Sequence, residues 1–99
     1  AAADTDMAAR ALRASRVEAD RMVLATRSAL AADGDLLTQA EREAVQALLE
    51  RTAEIARSDD PHAIDAAVKA LGAGTEAFAG ARMNRSIRAA LAGRNVEEV

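Results

Sequence analysis

The chain has 99 residues and a formal charge of −3, with 13 Lys and Arg against 16 Asp and Glu. That is one small domain, acidic enough to disfavour nucleic acid as a partner. Of its apolar residues 28 are alanine and nine are Val or Ile; there is one Phe and no Trp, Tyr or Cys, which argues for an all-α fold and against sheet, disulfides, thiolate nucleophiles and cysteine-ligated metal.

Gly and Pro are absent before Gly34, so a first helix is expected from about 5 to 33. The opening AAADTD lacks a basic region followed by an apolar one and does not read as a signal peptide. No apolar run approaches the roughly 18 residues of a membrane-spanning helix. The larger apolar residues Met7, Leu12 and Val17 fall five apart and walk around the helix. Only the part from about Met22 onward is expected to join a core. The earlier part, with Arg10, Arg13, Arg16, Glu18, Asp20 and Arg21, is expected to project toward a partner outside the chain.

Gly34 is expected to end this helix in the left-handed conformation. Thr38-Gln39-Ala40-Glu41 then fits a capping box, in which the Thr38 hydroxyl and the Glu41 carboxylate each accept the other's backbone N–H. A second helix follows from 38 to 58, with Val45, Leu48, Leu49, Thr52, Ile55 and Ala56 on one face. In RSDDPHA, Pro61 fits the first helical position and Asp60 the N-cap. A third helix is expected from 61 to 80, with Ile64, Ala67, Val68, Leu71, Thr75 and Phe78 on one face. A fourth, from 83 to 92, presents Met83, Ile87, Ala90 and Leu91, and the tail 93–99 carries no pattern. Short connections imply antiparallel neighbours. The expectation is a long N-terminal helix leading into a small antiparallel three-helix bundle, all within one subdomain spanning 1–99.

No catalytic site, metal site or cofactor site is legible. His62 follows Pro61 at a helix start, and no other His, Cys or Ser constellation supports a catalytic role for it. Capping explains Asp59 and Asp60 better than a metal does, and Gly72-Ala73-Gly74 lacks the continuation of a phosphate loop. Arg82, Arg85, Arg88 and Arg94 make the C-terminal end basic, and Arg10, Arg13 and Arg16 do so near the N-terminus; the acids interleaved in the set as a whole, a single Lys and the missing aromatics favour a solvated face over nucleic acid.

The stretch VEADRMVLATRSALAADGDLL followed by TQAEREAV resembles the lid of DnaK-type seventy-kilodalton heat-shock chaperones. The landmarks are Arg16 and Asp20 in an Arg-x-x-x-Asp pattern, Thr26-Arg27, and Gly34-Asp35 at the turn, then Asp59-Asp60 before an Ala- and Ile-containing helix. RMNRSIRAALAG at residues 82–93 is similar to the HscA branch, which serves iron–sulphur cluster assembly. The resemblance implies a lid over a peptide-binding β-sandwich of the same protein, with Arg16 and Asp20 as latch residues. Where the family's best-known bacterial member has a His four residues after the Asp, this chain has Leu24.

The same resemblance implies a cytoplasmic parent chaperone with ATP and Mg in an N-terminal domain, so no enzymatic activity is expected in these residues. It also implies a client iron–sulphur scaffold protein, a J-type co-chaperone and no membrane. Self-association of the isolated segment through its first helix is expected. The alternative is a standalone helical adaptor or oligomerisation module, and a third reading is a small transcription-factor domain. Ala at position 1 and Met7 inside a helix favour a segment of a longer protein.

Overall fold

The computed structural model describes residues 2–98, with side chains described for residues 6–93. An alanine-rich run without Gly or Pro gives the first helix, α1 (Ala2–Asp33), about 48 Å long at the α-helical rise. One stripe of α1 faces the rest of the molecule. Ser15, Ala19, Val23, Thr26 and Ala29 on this stripe are buried, and Leu12, Met22 and Leu30 are half-buried. The Thr26 hydroxyl donates to the Met22 carbonyl at 2.7 Å, so its burial leaves no donor unpaired. The core contact of α1 therefore begins ten residues earlier than the expected Met22. Small residues make much of it: Ala19, fully buried, packs with Ala56 and Ile64.

Gly34 does not end α1 in a left-handed turn, and no described residue has positive φ. The chain instead tightens into a 3₁₀ turn at Gly34–Leu36, closed by a 3.1 Å bond from the Leu37 N–H to the Gly34 carbonyl. The second helix, α2 (Gln39–Ile55), opens on the reciprocal capping box. The Glu41 N–H donates to Thr38 Oγ1 at 3.1 Å, and the Thr38 N–H donates to Glu41 Oε1 at 2.8 Å. It ends three residues before the expected 58, in the turn that leads to α3 (Pro61–Gly74). There Asp60 Oδ1 accepts from the His62 and Ala63 N–H groups at 3.0 and 3.3 Å, and Pro61 occupies the first turn.

Leu49, Ile64 and Leu71 are fully buried where α1, α2 and α3 meet. One cluster joins Ala19, Ala56 and Ile64, and a second joins Val23, Leu49 and Leu71. Thr52, also buried, donates to the Leu48 carbonyl at 2.8 Å and reaches the Ala67 carbonyl of α3 at 3.3 Å.

The last helix, α4 (Glu76–Glu98), begins earlier and ends later than expected. The break falls at Thr75, where Gly74 lets α3 pack its end against Leu48; a Cβ at Gly74 would collide with Leu48 Cδ1. Gly80 and Gly93 meet no neighbour and stay inside α4. The first two turns of α4 join the bundle through buried Phe78 and half-buried Ala81 and Arg82. From Met83 to Gly93 every described side chain is exposed, so the expected core face Met83-Ile87-Ala90-Leu91 is not covered. The side chains of the expected tail beyond Gly93 lie outside the described residues. The resulting shape is elongated, 69 × 30 × 17 Å.

Candidate functional site

Side chains on the bundle-facing stripe of α1 are committed to the core; those opposite are free. Val17 and Leu24, seven residues apart and so on one face, are 58% and 65% exposed. Exposed Arg10, Arg13, Asp20 and Arg21 surround them. This is a mixed surface, apolar along its centre and charged at its flanks.

The two expected latch residues behave differently. Arg16 turns toward the bundle: its Nη2 donates to the Ser58 carbonyl at 2.9 Å and to Asp59 Oδ1 at 2.7 Å. It places a cation at the turn after α2, where carbonyls lack helical partners. Its Nε is buried and has no hydrogen-bond partner among the described residues. Asp20, one turn further along, is exposed and makes no ion pair among the described residues. The structure thus does not bring Arg16 and Asp20 into contact. The expected capping residues Thr38, Glu41 and Asp60 all cap helices, and the Thr38 bonds hold the Glu41 carboxyl below its ordinary range.

A second charged cluster was not read from the sequence. Arg82 Nε donates to Asp33 Oδ2 at 2.8 Å, and Arg85 Nη1 donates to Asp33 Oδ1 at 3.0 Å. Arg85 also holds Asp35 with both guanidinium nitrogens, at 2.9 and 2.6 Å. Hydrogen bonds from Arg82 and then Arg85 lower the Asp33 pKa, and those from Arg85 lower that of Asp35. The same bonds raise Arg85 further above its already basic value. The cluster joins the end of α1 and the following turn to the second and third turns of α4. It also places two cations at the negative end of the α1 dipole. The available signal was the i, i+3 spacing of Arg82 and Arg85 together with Asp33 and Asp35, but their separation of about fifty residues hid the pairing.

Beside this cluster lies an open groove of about 190 Å³ between α1 and the root of α4, lined by Met22, Thr26, Ala29, Phe78, Ala79 and Arg82. His62 is exposed. Among the described residues no group of three His, Cys, Asp or Glu side chains could hold a metal ion, and no helix is long and apolar enough to cross a membrane.

No protein-family model matches the chain. Individual relatives do. A chaperone protein HscA homolog of Methylibium petroleiphilum is 63% identical over 97 residues, which is 98% of this chain and 16% of the relative. The HscA homologs of a Janthinobacterium species and of Burkholderia thailandensis are 58% and 57% identical over the same coverage. The chain spans about one sixth of the length of the relatives it matches. By sequence, then, the chain is similar to one segment of the HscA-type chaperones.

Proposed function

We propose that the chain is the C-terminal lid of an HscA-like chaperone, covering client peptide held in a β-sandwich of the same protein. The observation that carries this reading is the outward face of α1, where Val17 and Leu24 stay exposed while the opposite stripe is buried. A helix with one face in a bundle and the other free can rest on a second surface without unfolding anything. Asp20 stands on the accessible side and is the latch residue nearest to use. Arg16 in this reading exchanges its Asp59 contact for an acidic group of the sandwich when the lid closes. Latch contacts then favour the closed state, and the bundle supplies bulk at the end of the cover.

In the parent protein, ATP and Mg belong to an N-terminal domain. The described residues supply neither a phosphate loop nor a metal-ligating group, and no catalytic step is assigned to them. The client is an iron–sulphur scaffold protein, delivered with a J-type co-chaperone in the cytoplasm. The test is peptide release from a whole HscA-type chaperone that carries this segment. Asp20→Ala should speed release several-fold while leaving ATP hydrolysis without client unchanged. An unchanged release rate, both in that variant and after removal of the segment, would overturn the lid reading.

A second reading, a helical adaptor or oligomerisation module, draws on a different observation: Met83, Ile87 and Leu91 of α4 are each at least half exposed. Self-association is proposed under either reading, through α1 in the first and α4 in the second. Sedimentation equilibrium of Val17→Ser/Leu24→Ser and of Ile87→Ser/Leu91→Ser chains separates them. A strict monomer at high concentration would remove self-association through either helix.

A further inference from the structure

We propose that α4 is a hinged arm, with its pivot at Gly74-Thr75 and its angle set by the Asp33/Asp35–Arg82/Arg85 cluster. Three observations combine. The helix breaks at Thr75, whose φ of −107° and ψ of 2° depart from helical values and end α3 there. Beyond the break, only the first two turns of α4 are packed, and every described side chain from Met83 is exposed. Among the described residues, the remaining tie to the bundle is the charged cluster, which grips α4 at Arg82 and Arg85, seven and ten residues beyond the pivot.

The cluster is well suited to be released. Arg82, Arg85 and Asp35 are all substantially exposed, and only Asp33 is mostly covered. Exposed ion pairs weaken as salt screens them, even where the geometry is bidentate. The apolar packing at Phe78 is not screened; three residues from the pivot, Phe78 is displaced little by a swing that carries the outer turns much further. Release of the cluster would redirect the exposed strip Met83-Ile87-Leu91 and widen the groove that Arg82 borders. The device is therefore an arm whose direction responds to ionic conditions or to an acidic or basic partner that competes for the cluster.

The chain contains no cysteine, so two spin labels can be placed without background. Ser28→Cys on α1 and Ser86→Cys on α4 are exposed and lie outside the cluster. Double electron–electron resonance between them should give one narrow distance in low salt. In 1 M salt, or with Arg85→Glu, the distribution should broaden or shift. Adding Asp35→Arg to Arg85→Glu restores an opposite-charge pair and should narrow it again. Circular dichroism in parallel should show unchanged helix content. The label-only chain in low and high salt decides the matter even if Arg85→Glu impairs folding. A distribution that stays narrow and fixed across salt would overturn the hinge, as would Arg85→Glu leaving it unaltered in a folded chain.

Discussion

Gly72 and Gly74 sit two residues apart in α3 and ask for opposite outcomes. A Cβ at Gly72 would meet Met22 Cε at 3.8 Å, an ordinary contact, and its φ is not positive. Gly72→Ala should therefore stabilise by about 0.4–1 kcal/mol, mainly by restricting the unfolded chain. For a chain of this size that raises the melting temperature by roughly 2–8 °C. At Gly74 the new methyl collides with Leu48 Cδ1, so Leu48 must leave its rotamer and its half-buried position. Gly74→Ala should show no gain, with a melting temperature at or below that of the parent chain. Thermal melts of the two variants side by side check this. The two glycines read alike in the sequence, as weak points of a helix. What separates them is a neighbour on α2, which no local pattern encodes.

At the scale of elements, the helices were legible because their ends carry chemistry. Thr38 with Glu41 and Asp60 with Pro61 mark two helix starts to within a residue. The face of α1 is legible in the sequence only in part, because few of its buried residues are large and apolar. The true stripe, Leu12-Ser15-Ala19-Met22-Thr26-Ala29, alternates steps of three and four residues but is mostly small or hydroxylated. In a chain with 28 alanines, a buried alanine looks like an exposed one. The error at α4 is the mirror image. Met83, Ile87 and Leu91 form a regular stripe, yet α1 already occupies the place they would have filled. The ion cluster escaped for the same reason as the Gly74 contact, since both link distant parts of the chain. Ala19 offers the direct check. Ala19→Leu forces a larger side chain against Ala56 and Ile64, and should cost about 1–3 kcal/mol by overpacking. Ala14→Leu, on an exposed position of the same helix, should stay within about 0.5 kcal/mol of the parent. Urea denaturation of the two variants measures the difference. Equal effects would mean that the middle of α1 is not packed as described.

The whole molecule is long for its mass. A compact chain of 99 residues has a radius of gyration of about 13 Å, against 17.9 Å here. So extended a body has little core, and its edges matter more to its stability. Two of those edges are charged in a way that responds to acid. Glu41 is held below its ordinary 4.5 by the Thr38 N–H and hydroxyl. Asp33 and Asp35 are held below their ordinary 3.8 by hydrogen bonds from Arg82 and Arg85. In each case the folded state favours the ionised carboxylate. The contribution is fully present above the ordinary value and is lost as pH falls through the lower, folded one. The melting temperature should thus stay level from neutral pH down to about 5 and fall below that, Glu41 contributing first and the aspartates lower still. The arginines remain cations throughout, so the loss comes from the carboxyl side alone. Thr38→Ala should lower stability at neutral pH by about 1 kcal/mol through the lost cap, and should also shrink the acid-dependent part of the fall. Arg85→Ala should shrink it further, because Asp35 then has no arginine bonded to it and Asp33 keeps only Arg82. The capping box and the cluster share no residue, though Asp35 stands only three residues before Thr38, so the two variants combined should reduce the acid limb by more than either alone. Melting curves at pH 7, 5, 4 and 3 for the four chains provide the measurement. An acid limb unchanged in the double variant would place the pH dependence elsewhere in the molecule.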